Sequence, residues 1–293
     1  MTWLLWLGFG IAVLVALALG LRAAGALRWA KLIRTHTRQL EAGKVDAKGR
    51  LPSPARFDTH ELEGLPAPVQ RYFRAVLSDG QPIIASATIN MTGSMNLSAT
   101  AQQWKPFRSL QRVVTRRPGF LWDARVKMFP GVPACVVDSY VAGQGRLIAK
   151  VLGLFTVANM QGEGEIARGE FMRYFAESPW YPTALLPSQG VHWEAVDGNS
   201  ASATVVDGRI TLSLLFRFND AGLITSVRAE SRGASMGKHG VMEMLPWVCG
   251  LADYQAQDGM LIPMVGEAAW VRSEGRQVYF VGHVKKLRYE FLP

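Results

Sequence analysis

Strand follows strand through most of this chain, and the joints between them are short. Runs at 191–196, 201–206, 209–218 and 223–231 are rich in Val, Leu, Thr and Phe, and Asp197-Gly198, Asp207-Gly208 and Asp220-Ala221-Gly222 separate them. Asp/Gly joints of this kind tighten into hairpin turns, so the run reads as an antiparallel meander. The same grammar returns at 248–257, 260–272 and 277–291. Earlier, 83–90 and 95–99 are expected to form a hairpin around Thr92-Gly93, followed by strands at 110–115, 120–128 and 134–142. In 120–128 the apolar Trp122, Ala124, Val126 and Met128 alternate with Asp123, Arg125 and Lys127, giving one dry face and one wet. The stretch 145–157 fits strand and helix equally. About ten to twelve strands result, and a sheet that long curls or closes rather than staying flat.

One helical pattern interrupts the strands. In GEFMRYFAESPWYPTALLP (169–187), Phe171, Tyr174 and Phe175 fall on one helix face, with Glu170, Arg173 and Glu177 along the neighbouring one. Ser178-Pro179 ends the helix, because proline turns the preceding residue away from the α conformation. Trp180 and Tyr181 follow as an aromatic plug. A shorter amphipathic helix over 69–77 collects Val69, Tyr72, Phe73, Val76 and Leu77. The expected fold is therefore mainly β with a few helices (α+β). It is a curved antiparallel sheet or half-barrel wrapped around a central helix, preceded by an N-terminal transmembrane helix.

That last element rests on residues 3–21, nineteen positions without a charge. As a helix they span about 28 Å, close to the thickness of a bilayer core. A cleaved signal peptide is the rival, with Ala16-Leu-Ala18 as a small-residue site, but no Lys or Arg precedes the apolar run. Between Arg22 and Arg56 stand nine Lys/Arg and two Asp/Glu, whereas residues 57–293 hold 23 against 21. The net charge of +9 is thus mostly a juxtamembrane cluster on a nearly neutral domain, which argues against nucleic acid as a partner. The positive-inside rule places the C-terminal side of the span in the cytoplasm. Residues 1–42 form the anchor and a basic helix suited to anionic headgroups or to solvent, 43–64 a linker, and 65–293 the β-rich domain.

Three boxes, LPAPVQRYFRAVL (65–77), PGFLWDAR (118–125) and the 169–187 segment, resemble an uncharacterised bacterial family, a domain of unknown function. The similarity covers nearly everything after residue 64 and implies no activity. More distantly, the closing meander is similar to the lipoprotein-carrier (LolA-like) half-barrels of bacterial envelopes. Those wrap a curved sheet around helices and bind acyl chains in an apolar hollow, outside the cytoplasm.

Glu170, Arg173 and Glu177 are either a helix-surface ion row or a buried acid/base set, with Glu170 and Glu177 as weak catalytic candidates. Asp123 and Arg125, with Asp138 on the next strand, read as a cross-strand ion pair or a polar clamp. The five histidines are scattered without metal spacing, and no phosphate-binding or nucleophile-elbow motif occurs, so neither metal nor cofactor is implied. Cys135 and Cys249 read as buried thiols unless the domain is exported. Six large rings, Trp122, Trp180, Tyr181, Trp193, Trp247 and Trp270, either fill a core or line a hollow. The leading expectation is a membrane-anchored module that binds a hydrophobic ligand such as a lipid acyl chain. Trp122, Trp180, Tyr181 and Trp193 would line the site, with Arg125, Arg173 and Glu177 at its rim. A lipid- or glycan-acting hydrolase and a structural module binding a membrane partner are the alternatives.

Overall fold

A computed structural model describes residues 2–45, 54–98, 101–236 and 241–293. Its N-terminal helix α1 (Thr2–Val45) is unbroken. Then come α2 (Ala67–Val76) and six strands: β1 (Ile84–Asn96), β2 (Trp104–Val114), β3 (Gly119–Phe129), β4 (Val132–Val141), β5 (Gln144–Val151) and β6 (Phe155–Gly162). Helix α3 (Glu165–Ala176) and three 3-10 turns lead into β7 (His192–Asp197), β8 (Ser200–Asp207), β9 (Ile210–Phe218), β10 (Ile224–Met236), β11 (Val241–Gln257), β12 (Met260–Arg272) and β13 (Gly275–Phe291). The expected ten to twelve strands are thirteen among the described residues, all in one curved, open antiparallel sheet. The ambiguous 145–157 stretch is β5 and β6.

The strand order is β6-β5-β4-β3-β2-β1-β13-β12-β11-β10-β9-β8-β7. The first and last strands pair in the middle, and the chain works outward from there on both sides. The edges are β6 and β7, consecutive in sequence and farthest apart in the sheet. The segment joining them has to travel from edge to edge, and it does so across the concave face as α3 and its 3-10 turns. The central helix is therefore a consequence of the strand order.

Thr92-Gly93 is not a hairpin turn. Gly93 lies inside β1, opposite Gly282 of β13, which in turn lies opposite Gly266 of β12. A Cβ on Gly93 would stand 2.0 Å from the Val281 carbonyl oxygen, and one on Gly266 would stand 2.7 Å from the Trp180 ring. A glycine inside a strand marks such close approaches. This row of three clears the concave face at the centre of the sheet, where Trp180 is seated.

On that face Phe171 stacks on Tyr140 at 4.8 Å, and Phe175 meets Phe216 edge-on at 5.5 Å. The apolar side of α2 packs into the same core, Tyr72 against Phe218 and Phe73 against Trp193. Of the expected linker, residues 46–53 lie outside the described residues. From Arg56, which bridges to Pro82, the chain is packed, with Phe57 and Leu62 inside the main core.

Helix α1 divides in two. It is long and apolar enough to cross a membrane, and its residues from Trp3 to Leu21 touch nothing that buries them. The half beyond Arg22 docks on the convex face of the sheet, where Trp29 and Leu40 join Val114, Leu121, Cys135, Val137 and Ile148 in a second, smaller core. Trp29 Nε1 donates to Asp123 Oδ1 at 2.9 Å, and the Arg125 guanidinium lies 5.3 Å over the Trp29 ring. Gly25 permits the closest approach, since a Cβ there would stand 1.9 Å from the Leu152 carbonyl oxygen. The basic residues Arg22, Arg28, Lys31, Arg34 and Arg38 still face outward. The segment beyond the apolar stretch is thus a docked helix with one basic face exposed.

Candidate functional site

Between α3 and the sheet lies a partly open cavity of about 250 Å³. One wall follows a single cross-strand row, Trp122–Asp138–Leu147–Met160, on β3 to β6, which Gln111 of β2 continues beyond the cavity. The opposite wall comes from Trp247, Cys249 and Leu251 of β11, Trp270 of β12 and Tyr279 and Phe280 of β13. Helix α3 supplies Ile166, Gly169, Glu170, Arg173 and Ala176; Glu177 and Trp180 follow at its end. Most of the lining is apolar, with the ionisable groups concentrated where α3 faces β4 and β10.

Arg173 organises the polar end. Its Nε donates to Glu177 Oε1 at 2.8 Å, its Nη1 to Asp138 Oδ2 at 2.7 Å and its Nη2 to Gln111 Oε1 at 3.4 Å. Gln111 closes the ring by donating to Glu177 Oε2 at 2.6 Å. The guanidinium also lies 4.8 Å over the Trp122 ring. The row on α3 is therefore buried rather than at the surface, and it fastens the helix to β2 and β4. Burial alone would lower the Arg173 pKa, but Glu177, Asp138 and Glu170 together raise it and keep it charged. For Asp138, burial raises the carboxyl pKa against the pull of Arg173 and Arg232.

Glu170 stands outside this ring: it has no ion pair among the described residues, and its Oε2, like Asp138 Oδ1, is buried without a hydrogen-bond partner. Burial first, then the nearby Asp138, push its pKa up to about 8, against the opposing pull of Arg232 and Arg173. A carboxyl in that state is largely protonated at neutral pH and can donate a hydrogen bond.

Four of the residues singled out from sequence, Trp122, Arg173, Glu177 and Trp180, meet in this cavity together with the catalytic candidate Glu170. Three do not. Arg125 is on the convex face, paired with Asp123 under α1. Tyr181 points into the core, its hydroxyl donating to the Tyr174 carbonyl. Trp193 packs 5.0 Å from Phe216 and donates to the Leu185 carbonyl at 3.0 Å. Asp138 belongs to Arg173, not to the Asp123–Arg125 pair: successive residues of a strand alternate faces, and Asp138 lies opposite Trp122. Cys135 and Cys249 are both buried and free, one on the convex face and one in the cavity wall, so they do not face each other.

Sequence reading missed Arg232, which lines the cavity, and the methionines Met95, Met160 and Met242 that also line it. The signal for Arg232 was present but indirect. In AESRGA (229–234) the alternation breaks at Glu230-Ser231, and the structure has a bulge there, between the Ala229–Trp247 and Arg232–Leu245 pairs. A bulge re-aims the side chains beyond it.

Fold and site together define a single-sheet open half-barrel whose concave face, bridged by a helix, encloses an apolar cavity with a charged end. The chain belongs to the family of unknown function DUF6920, whose profile matches residues 63–289. That agrees with the resemblance carried by the three boxes. No curated protein shows significant similarity. Among solved structures it is similar to a LolA superfamily protein from Nitrosomonas europaea, at 10% identity and a TM-score of 0.41, over 77% of this chain and 93% of that one. It is also similar to a β-barrel-like protein of the DUF1849 domain from Brucella abortus, at 12% identity and a TM-score of 0.20, over 71% and 98% of the two chains.

The raised Glu170 pKa fixes a direction for stability. The unfolded chain releases this proton near 4.5 and the folded protein near 8. Between those values the native state binds the extra proton, so this site's contribution to stability falls as pH rises through the window. Thermal melts at pH 5 and pH 9 test this: Glu170→Gln should melt with a smaller alkaline loss than the wild type. Equal losses in the two proteins would contradict the assignment.

Proposed function

We propose that this is a membrane-tethered binding protein that holds one aliphatic chain, of a lipid or a similar apolar molecule, in the cavity between α3 and the sheet. The carrying observation is the cavity itself. Its walls are indole, phenyl and aliphatic side chains, and such a hollow with a few convergent polar groups is the usual form of a small-molecule site. At about 250 Å³ it is just below the roughly 300–1,000 Å³ of most such sites, which suits a single chain better than a whole diacyl lipid. Methionines around it add unbranched side chains that adapt to a flexible ligand.

The tether supports the same reading. Residues Trp3 to Leu21 expose Trp, Leu, Phe and Val along a helix that no other described residue covers, and a bilayer core is the medium that would take them. Arg22, where the apolar stretch ends, donates to the Gly131 carbonyl at 2.9 Å. The β3–β4 hairpin, with Phe129 67% exposed, is thereby held at the level where the span would leave the membrane. The binding domain would sit against the surface from which an acyl chain comes. Glu170 and Glu177 face one cavity, as the hydrolase alternative requires. Both Glu177 oxygens are occupied by Arg173 and Gln111, however, which favours binding over acid/base catalysis.

Protein extracted in mild detergent should release a lipid or fatty acid on mass spectrometry. Leu147→Trp, which narrows the cavity from β5, should weaken binding of a fluorescent fatty acid by about tenfold, the equivalent of roughly 1.4 kcal/mol. A wild-type protein that carries no lipid and binds no such probe contradicts the reading. For the side of the membrane, the outward basic face of α1 points to a cytoplasmic domain. A phosphatase reporter fused after Pro293 should then be silent, and export-dependent activity would reverse the orientation.

A further inference from the structure

The Arg232 guanidinium lies in the cavity wall, packed against aromatic rings. The bulge before it leaves Glu230 and Ser231 exposed and turns Arg232 inward, to 9% exposure. Its guanidinium lies 4.3 Å over the Trp247 ring and 5.8 Å from that of Trp270. Its Nε is 3.5 Å from where a Cβ on Gly169 would stand, so it rests directly against α3. Aromatic faces attract a cation but only weakly accept its hydrogen bonds. Among the described residues no side chain or carbonyl accepts from Arg232, and it has no salt-bridge partner. Arg173, on α3 itself, has Asp138, Glu177 and Gln111. A buried guanidinium with free donors opening onto a cavity is built for an acceptor that arrives from outside.

We propose that the cavity takes an anionic amphiphile, its aliphatic chain along the apolar walls and its carboxylate or phosphate head on Arg232 and Glu170. This rests on the reading that the cavity holds an aliphatic chain and adds the chemistry of its head. Glu170 follows Gly169 on α3 and lines the same cavity, with its Oε2 unpartnered. Protonated, it donates to an anion, where a carboxylate would repel one. Arg232 supplies a planar two-pronged donor that matches both head groups. Asp138, Glu165, Glu177 and Glu267 also line the cavity and oppose an anion, but Asp138 and Glu177 are paired with Arg173 and Glu267 with Arg276. An amine head would instead be drawn to these carboxylates and repelled by Arg232, so it is the informative competitor.

Calorimetric titration of the delipidated full chain in mild detergent with decanoate, decyl phosphate, decanol and decylamine separates the cases. The expected result is that at least one of the two anions binds about tenfold more tightly than decanol, the size of a charged hydrogen bond. The stronger of the two identifies a fatty-acid-like or a phosphate head. Arg232→Met should close the gap between anion and alcohol. If that variant does not fold, the wild-type comparison decides alone. Decanol binding as tightly as both anions, or decylamine binding more tightly than either, overturns the head-group assignment while leaving a chain-binding cavity. Binding of none of the four defeats the chain-binding reading itself.

Discussion

The Arg173 clasp is the interaction on which the interior depends. A sheet whose edges are consecutive in sequence must carry a connection across its concave side, and that connection could settle anywhere on an apolar surface. Arg173 fixes where it settles. One guanidinium reaches Glu177 on its own segment, Asp138 on β4 and Gln111 on β2, so the helix has one rotation and one depth. A buried charge network of this kind does not add much net stability against an apolar substitute. Removing one partner from it is another matter and costs about 3–5 kcal/mol, because the other charge is left buried and alone. It specifies position more than it strengthens the fold.

With α3 pinned at its polar end, the rest of the concave face is divided. On one side Phe171, Tyr174 and Phe175 meet Tyr140, Tyr181 and Phe216 in solid packing. On the other, Trp180 seats itself over Gly266 and donates to the Pro263 carbonyl at 2.8 Å, holding the far end of the segment down. The cavity is what remains between these two attachments. Its charged end and its apolar walls therefore have one origin: the helix is fastened by charge at one place and by rings at others. The convex face of β2 to β5 has its own cover, the docked half of α1, so that part of the sheet is packed on both sides without a second sheet.

Much of this architecture was legible in local sequence. The alternation in 120–128 gave β3 its faces, the Asp/Gly joints placed β7 to β10, and the Phe171/Tyr174/Phe175 spacing gave α3 its buried side. What was not legible depends on partners distant in the chain. Gly93 resembles a turn residue until Gly282 is placed beside it, nearly two hundred positions away. Arg125 and Asp138 are thirteen residues apart on adjacent strands, and only the pleat assigns them to opposite faces. Trp193 and Tyr181 have the composition of a binding wall, but α2 and α3 claim them for packing. The basic helix after the apolar stretch gave no hint that Trp29 would reach Asp123 across 94 positions.

All of this requires that the space beside α3 be real and apolar in the folded protein. Diffraction from crystals of the full chain held under xenon reads that directly, because dry cavities take up xenon where packed cores do not. A xenon peak enclosed by Trp122, Leu147, Trp180 and Leu251 is the predicted result. Unbroken side-chain density across that volume, with α3 collapsed onto the sheet and no xenon bound, would contradict the account.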